Sequence, residues 1–76
     1  MSKKKQYWLG AHVCDLCGKQ EPDLLYDCPI RGRGVWAIMC ESCYARYGTK
    51  LGQKYKKVNE DGVIKYERVG NLHNVV

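Results

Sequence analysis

The sequence contains no phenylalanine, only two prolines and no long apolar run. Because a helix needs roughly 20 apolar residues to span a bilayer, we expect no transmembrane segment. No apolar signal-peptide core follows the basic residues 3–5, which favours a cytoplasmic location. With 76 residues, the chain is too short for a large multilayer enzyme fold. A chain of this size buries only about 60% of its unfolded surface, so we expect one small domain that needs an additional source of stability.

The cysteines indicate that source. Cys14 and Cys17 form one C-x2-C pair, Cys40 and Cys43 form a second, and 22 residues separate the pairs. Two such pairs in a small chain are typical of a four-thiolate zinc site. Zinc takes four ligands in a tetrahedron, and each pair can cover one edge of it. In a reducing cytosol, cysteines are more often metal ligands than disulfides. We therefore predict one structural Zn²⁺ bound by Cys14, Cys17, Cys40 and Cys43.

Other interpretations of the cysteines and histidines are weaker. Two disulfides would need an oxidising compartment and would leave the fifth thiol unpaired. A rubredoxin-like iron site would favour a glycine after each pair, and Tyr44 follows the second pair. We interpret Cys28 as a small buried hydrophobic residue, although a reactive thiol or a substitute ligand remains open. His12 is interpreted as a polar residue near the site, and no role is assigned to His73.

The residues around the two pairs differ. Gly18 directly follows Cys17, where a glycine allows the sharp turn of a zinc knuckle, whereas Cys40 and Cys43 lie at the start of a helical pattern. Knuckle, hairpin and helix resemble the treble-clef zinc finger over residues 14–51. The chain is also similar in overall character to small zinc-finger proteins encoded by bacteriophages. This resemblance implies a small binding domain, in some such proteins one that acts on host transcription or nucleic-acid machinery.

The predicted elements complete a small α+β, metal-stabilised domain. Strands are predicted at 24–30 and 35–39, a short helix at 41–47, and strands at 53–58 and 63–69. The fold class is a treble-clef-like zinc finger (knuckle, β-hairpin and short helix) with an added C-terminal β-hairpin. We expect a flexible basic N-terminus at 1–6, the zinc finger at 7–52, a hairpin packed on the finger at 53–69, and a tail at 70–76. Without phenylalanine, Trp36 and Tyr44 are expected to fill the core.

Positive charge is spread unevenly along the chain, with basic clusters at residues 3–5, at Arg31 and Arg33, and over residues 44–58. The net charge is +5, and residues 44–58 contain five basic residues and no acid. Basic clusters favour nucleic acid or an acidic protein surface as partner. Tyrosines between the cations are suited to stacking on unpaired bases. We predict a nucleic-acid-binding module for DNA or RNA, with contacts from Arg31, Arg33, Arg46, Lys50, Lys54, Tyr55, Lys56 and Lys57.

Two alternatives accompany this prediction. Short basic runs also occur as solvated faces that keep a small domain soluble. A protein-interaction module or inhibitor, phage-encoded if the resemblance holds, would use the same charge against an acidic partner. An edge strand of the second hairpin could then pair with that partner.

Catalysis is not expected. The sequence has neither the paired histidines of HNH-type nucleases nor the His-x-Glu of zinc deaminases. A four-cysteine zinc site has no open coordination position, so it cannot activate water. No Ser/His/Asp pattern and no lysine-containing phosphate loop is present. We therefore predict a non-enzymatic protein with no small-molecule substrate and no membrane partner.

Overall fold

The computed structural model describes residues 5–72, which form a four-stranded antiparallel sheet and one short helix. The strand order in the sheet is β2-β1-β3-β4. Within the described residues, no helix is both long enough and apolar enough to cross a membrane. The element bounds are β1 Leu24–Pro29, β2 Trp36–Met39, α1 Glu41–Tyr47, β3 Gln53–Glu60 and β4 Val63–Asn71.

The predicted first hairpin is confirmed. β1 and β2 are antiparallel, and their pairing runs from Tyr26 opposite Met39 to Pro29 opposite Trp36. Pro29 lacks an amide donor and occupies the last position of its strand, where the ladder ends. The amide of Ile30 donates to the carbonyl of Val35 across 2.7 Å and closes the loop that follows.

The second hairpin continues the same sheet. Asp61 and Gly62 both have positive φ, 55° and 80°, as a two-residue turn between twisted strands requires. β3 then pairs with β1, with Leu24 opposite Lys56 and Tyr26 opposite Lys54. We predicted a boundary between the zinc finger and the second hairpin at residues 52 and 53. The two hairpins instead form one continuous sheet, because β3 of the second hairpin pairs with β1 of the first.

The C-terminal part of the described chain is more ordered than we predicted. β4 extends to Asn71, and Leu72 is 1% exposed. The amide of Leu72 donates to the carbonyl of Gly52 across 2.8 Å, which fixes the end of the strand beside the start of β3. Residues 70 and 71 thus belong to the sheet and Leu72 to the core beside it, whereas residues 73–76 lie outside the described residues.

The start of the described chain lies along β4. The carbonyl of Gln6 accepts from the amide of Arg68 across 2.7 Å, and the amide of Trp8 donates to the carbonyl of Tyr66 across 2.9 Å. Tyr7 forms an antiparallel bridge with Glu67. Gln6 is therefore held to the sheet, unlike the flexible N-terminus that we expected, and residues 1–4 lie outside the described part.

The sheet has two apolar faces. One face places Tyr26, Cys28, Met39 and Leu72 among the cysteines of the two pairs. The other face places Leu25, Ile38, Tyr55 and Tyr66 under Trp8. β1 supplies both faces because side chains alternate along a strand. Leu24 and Ile30 pack on the first face together with Tyr26 and Cys28.

The helix α1 covers the first of these faces. The ring of Tyr44 stacks on that of Tyr26, with 4.1 Å between ring centroids. α1 ends at Tyr47, because Gly48 follows with an extended backbone. Trp36 differs from the expectation of a core residue: it is 55% exposed, because it begins the short edge strand β2.

Candidate metal centre

The two cysteine pairs converge at one place. The Sγ atoms of Cys14, Cys17, Cys40 and Cys43 all lie within 4.8 Å of one another. The Sγ atoms of Cys17 and Cys40 are 3.7 Å apart. A tetrahedron with Zn–S bonds of about 2.3 Å has S···S edges of about 3.8 Å. The four sulfurs therefore fit one tetrahedrally coordinated metal ion.

The sulfurs are not paired covalently. All five cysteines are free thiols, and a separation of 3.7 Å is far longer than the disulfide bond of about 2.05 Å. The two-disulfide alternative is thus inconsistent with this structure. The four thiols therefore form a closed set of soft sulfur ligands, which is a ligand type that Zn²⁺ and Fe–S centres prefer.

A tight turn presents the first pair, as Gly18 predicted. Gly18 adopts a φ of 79°, a backbone conformation that residues with a side chain rarely adopt. Its amide donates to the carbonyl of Cys14 across 2.9 Å. The amides of Leu16 and Cys17 both lie 3.4 Å from the Cys14 sulfur and donate to it. These donors favour a thiolate at Cys14.

The helix α1 presents the second pair. Cys40 precedes α1 with an extended backbone, and Cys43 lies in the first turn. The carbonyl of Cys40 accepts from the amide of Tyr44 across 2.8 Å. The two sulfurs therefore sit at the end of the helix where the backbone dipole is positive, an environment that favours negative charge. This placement agrees with the predicted helical start.

The thiols of the cluster differ in their pKa values. Burial raises the pKa of Cys14, but hydrogen bonds from the backbone of Cys40, Cys17 and Leu16 outweigh it and lower that pKa to about 6. Burial, together with the neighbouring thiols, raises the pKa of Cys43 to about 12. Four thiolates therefore do not coexist easily without a cation between them. A divalent ion removes this conflict by compensating the charge.

The sequence patterns did not identify two residues that support the cluster. Leu72 packs into the same core as the cysteines. Asp15 accepts a hydrogen bond from the amide of Ile38, two residues before Cys40. Leu72 is a single apolar residue near the end of the chain, and Asp15 is a single acid within a C-x2-C pair. Neither belongs to a periodic pattern, so only the tertiary contacts reveal their roles.

The remaining cysteine and the described histidine lie outside the cluster. Cys28 is fully buried, and its sulfur is 3.9 Å from the Met39 sulfur, as expected for a small core residue. His12 packs edge-on against the ring of Tyr66, with 4.7 Å between centroids. His73, to which we assigned no role, lies beyond the described residues.

Some predicted nucleic-acid contacts come together. Arg31 and Arg33 line a groove of about 480 Å³ together with Leu16, Ile30 and Tyr47; we name it the arginine groove. The Arg31 guanidinium donates to the carbonyl of Arg46, and the Arg31 amide donates to the carbonyl of Tyr47 across 2.7 Å. Arg31 thus satisfies carbonyls at the end of α1 that the helix leaves unpaired.

The other predicted contacts are dispersed. The amine of Lys57 is 3.7 Å from a carboxylate oxygen of Asp23 and donates to the carbonyl of Glu21 across 3.2 Å. The amine of Lys54 lies 5.7 Å from the centroid of the Tyr26 ring. Lys50 and Lys56 are exposed. Lys56 and Lys57 are neighbours in β3 and point to opposite faces of the sheet, so the four lysines do not share one face.

The position of Tyr55 differs from our prediction. We predicted that it would contact nucleic acid, but it is 7% exposed and packs in the core beside Trp8. Its hydroxyl donates to the side-chain oxygen of Gln53 across 3.0 Å. The alternation of β3 turns Tyr55 toward the face that the N-terminal segment covers, so its ring cannot stack on a base.

Comparisons with known proteins add no relatives. No protein-family model matches the chain, and neither a curated protein nor a solved structure matches it.

Proposed function

We propose that the four cysteines bind one structural Zn²⁺ in a treble-clef-like finger. The support is the cluster itself, because four thiols within 4.8 Å of one another leave room for one ion. A four-thiolate site has no open position for water or substrate, so the ion stabilises the domain and does not catalyse a reaction. The order of knuckle turn, β1–β2 hairpin and α1 supports the treble-clef assignment. The closed site also supports a protein without enzymatic activity.

We further propose that this domain binds nucleic acid through the arginine groove. The observation that carries the proposal is the placement of Arg31 and Arg33 around one concavity with the ring of Tyr47, which is 44% exposed. Guanidinium groups bind phosphate, and an exposed tyrosine ring can stack on an unpaired base. The formal net charge of +5 becomes +3 when four thiolates bind one divalent ion, and this excess still favours a polyanionic partner at long range.

Arg33 provides the cleaner test of this groove. Within residues 5–72, the Arg33 side chain makes no hydrogen bond or ion pair, whereas Arg31 also holds the end of α1. Charge reversal at Arg33 therefore removes a phosphate contact without removing a structural contact. Lys19→Glu is the matched control, because Lys19 is exposed and lines a different groove.

The experiment is a salt titration of binding to single-stranded and duplex DNA and RNA. We expect affinity to fall steeply with salt, because each neutralised phosphate releases counterions. Arg33→Glu should weaken binding to all sequences and reduce the slope of log K against log salt by about one. Lys19→Glu should leave the slope unchanged. Salt-independent binding, or an equal effect of both variants, would contradict the proposal.

A protein-interaction module or inhibitor is the second candidate, and one observation favours it. β2 is an edge strand that begins at Trp36, and Val35 and Trp36 are 61% and 55% exposed at its start. Because Asp15 already binds the amide and carbonyl of Ile38, a partner would contact the exposed apolar side chains of Val35 and Trp36 rather than add a strand to this edge. If this candidate is correct, nuclease-treated lysate should yield one stoichiometric protein partner, and the purified chain should not bind DNA or RNA. Its targets would include transcription or nucleic-acid machinery.

A further inference from the structure

A second concavity lies near the same end of the first hairpin as the two arginines. Its volume is about 380 Å³, and we name it the Trp36 pocket. Trp36 pairs with Pro29 at the last position before the loop that carries Arg31 and Arg33. The pocket is lined by Asp27, Trp36, Leu51, Gly52, Gln53 and Asn71.

The pocket combines an exposed aromatic ring with hydrogen-bonding groups. Trp36 and Leu51 are 55% and 71% exposed, so apolar surface is available to a ligand. Asp27 lies directly opposite Gln53 across the β1–β3 pair. The backbone of Gly52 leaves little room there, since a Cβ atom on it would lie 1.6 Å from the carbonyl oxygen of Asp27.

Neighbouring contacts orient the two amide side chains. The side-chain oxygen of Gln53 accepts from the hydroxyl of Tyr55 across 3.0 Å. The side-chain oxygen of Asn71 accepts from the guanidinium of Arg68 across 2.8 Å. With both oxygens engaged, the amide NH₂ groups of Gln53 and Asn71 remain as donors.

Asp27 supplies the complementary acceptor. Within the described residues its carboxylate forms no ion pair, although the chain is rich in lysine and arginine. Burial raises its pKa above the ordinary range, and the charge of Asp15 raises it further. A carboxylate kept in a pocket without a cation is costly, which is typical of a group that serves a ligand.

We propose that the Trp36 pocket binds an unpaired guanine base. The Asp27 carboxylate accepts from the N1–H and N2–H groups of the base. The amides of Gln53 and Asn71 donate to its O6 and N7 acceptors, and the indole of Trp36 stacks on its ring. Proteins recognise unpaired bases by this combination of aromatic stacking and hydrogen bonds to base edges.

The donor and acceptor pattern selects guanine over the other bases. Guanine presents two adjacent donors to a carboxylate, with an acceptor beside them. Adenine and cytosine place an unprotonated ring nitrogen at that edge, which a carboxylate repels. Uracil offers a single donor between two acceptors. A bidentate side-chain–base pair contributes roughly 1–3 kcal/mol of discrimination, which corresponds to about 5- to 150-fold in affinity.

The inference deepens the proposed nucleic-acid binding and rests on it for the source of the base. Phosphates at Arg31 and Arg33 and a base in the Trp36 pocket would belong to one strand passing the end of the β1–β2 hairpin. A free guanine nucleotide presents the same base edge, so the experiment includes both sources.

The test compares two fluorescein-labelled RNA hexamers, UUUUUU and UUGUUU, by fluorescence anisotropy with zinc-loaded protein. Guanosine and adenosine 5′-monophosphate are titrated separately by calorimetry. We expect UUGUUU to bind at least about fivefold more tightly than UUUUUU. Asp27→Asn should abolish this preference and leave the affinity for UUUUUU unreduced. Asp61→Asn is the control, because it removes the same charge at the opposite end of β3 and retains a residue suited to the turn.

The outcomes separate the two proposals. Equal, salt-dependent binding of both hexamers overturns the guanine pocket and leaves nucleic-acid binding intact. Binding of guanosine monophosphate alone, lost in Asp27→Asn, supports the pocket and overturns the nucleic-acid function. If no hexamer or nucleotide binds, both proposals fail. An equal loss in Asp27→Asn and Asp61→Asn would show a general charge effect and overturn the pocket.

Discussion

Asp15 and Ile38 exchange two hydrogen bonds. The amide of Asp15 donates to the carbonyl of Ile38 across 2.9 Å, and the amide of Ile38 donates to Oδ2 of Asp15 across 3.2 Å. Asp15 lies between the first two cysteines, and Ile38 lies two residues before Cys40. The exchange therefore connects the knuckle turn directly to β2 and sets the distance between the two cysteine pairs.

The first prediction concerns this connection. Asp15→Ala removes the acceptor for the Ile38 amide and should lower the free energy of unfolding by about 1 kcal/mol. It should also weaken zinc binding, because the two pairs are held together less firmly. Denaturant unfolding and zinc competition with a chelator measure these effects. Asp15→Asn keeps a side-chain oxygen and should restore most of the loss; an Asn variant as weak as the Ala variant would argue against a hydrogen-bonding role.

The second prediction distinguishes metal ligation from burial. Cys17 is exposed, whereas Cys28 is fully buried. If the cluster binds zinc, Cys17→Ser should greatly reduce zinc affinity despite its exposure. Cys28→Ala should keep one zinc per chain and lose only the packing energy of a small side chain, about 1 kcal/mol. Native mass spectrometry gives the stoichiometry, and circular dichroism follows folding.

Chelation of the wild-type protein completes this test. Structural zinc contributes roughly 10–16 kcal/mol in zinc-finger peptides, which is as large as the whole stability of a typical domain. Removal of the ion should therefore abolish the cooperative unfolding transition, and added zinc should restore it. A folded, metal-free chain would contradict the proposed role of the cluster.

The third prediction concerns the end of the described chain. Leu72 is 1% exposed and packs beside the cysteines, so Leu72→Ala should lower the free energy of unfolding by about 2–5 kcal/mol. Val69 is 55% exposed, and Val69→Ala should change it by less than about 0.5 kcal/mol. Thermal or urea unfolding of zinc-loaded proteins measures both values. Similar effects of the two variants would mean that Leu72 is not a core residue.

The fourth prediction follows from Asp27. Burial raises its pKa in the folded state, so between its ordinary and folded pKa values the native state binds more protons than the unfolded state. Its contribution to stability is therefore lost as pH rises through this range. Asp27→Asn avoids this loss and should be more stable than wild type near neutral pH. The difference should shrink as pH falls toward the ordinary pKa of 3.8.

Unfolding of both zinc-loaded proteins at several pH values measures this difference. Proton competition for the cysteine thiolates acts on both proteins alike and cancels between them. A difference that is independent of pH would show that the carboxylate of Asp27 carries no ionisation penalty.

The local elements were predictable because their signals are local. The two C-x2-C pairs, the glycine after Cys17 and the turn-forming residues 59–62 each act within a few residues of the chain. Strand alternation placed Tyr26 and Cys28 on one face, and the helix was predicted from Glu41 to Tyr47 as observed. The predicted metal ligands also converge on one cluster.

The sequence by itself therefore determined the elements and the predicted ligand set in terms of residue type and spacing. Only the tertiary structure decided that β3 pairs with β1, that Tyr55 is buried, and that Trp36 is exposed beside Asp27. The physical reason is that these features depend on contacts between residues distant in the chain. Such contacts decide which strands pair and which segment covers each face of the sheet, and no local sequence pattern encodes them.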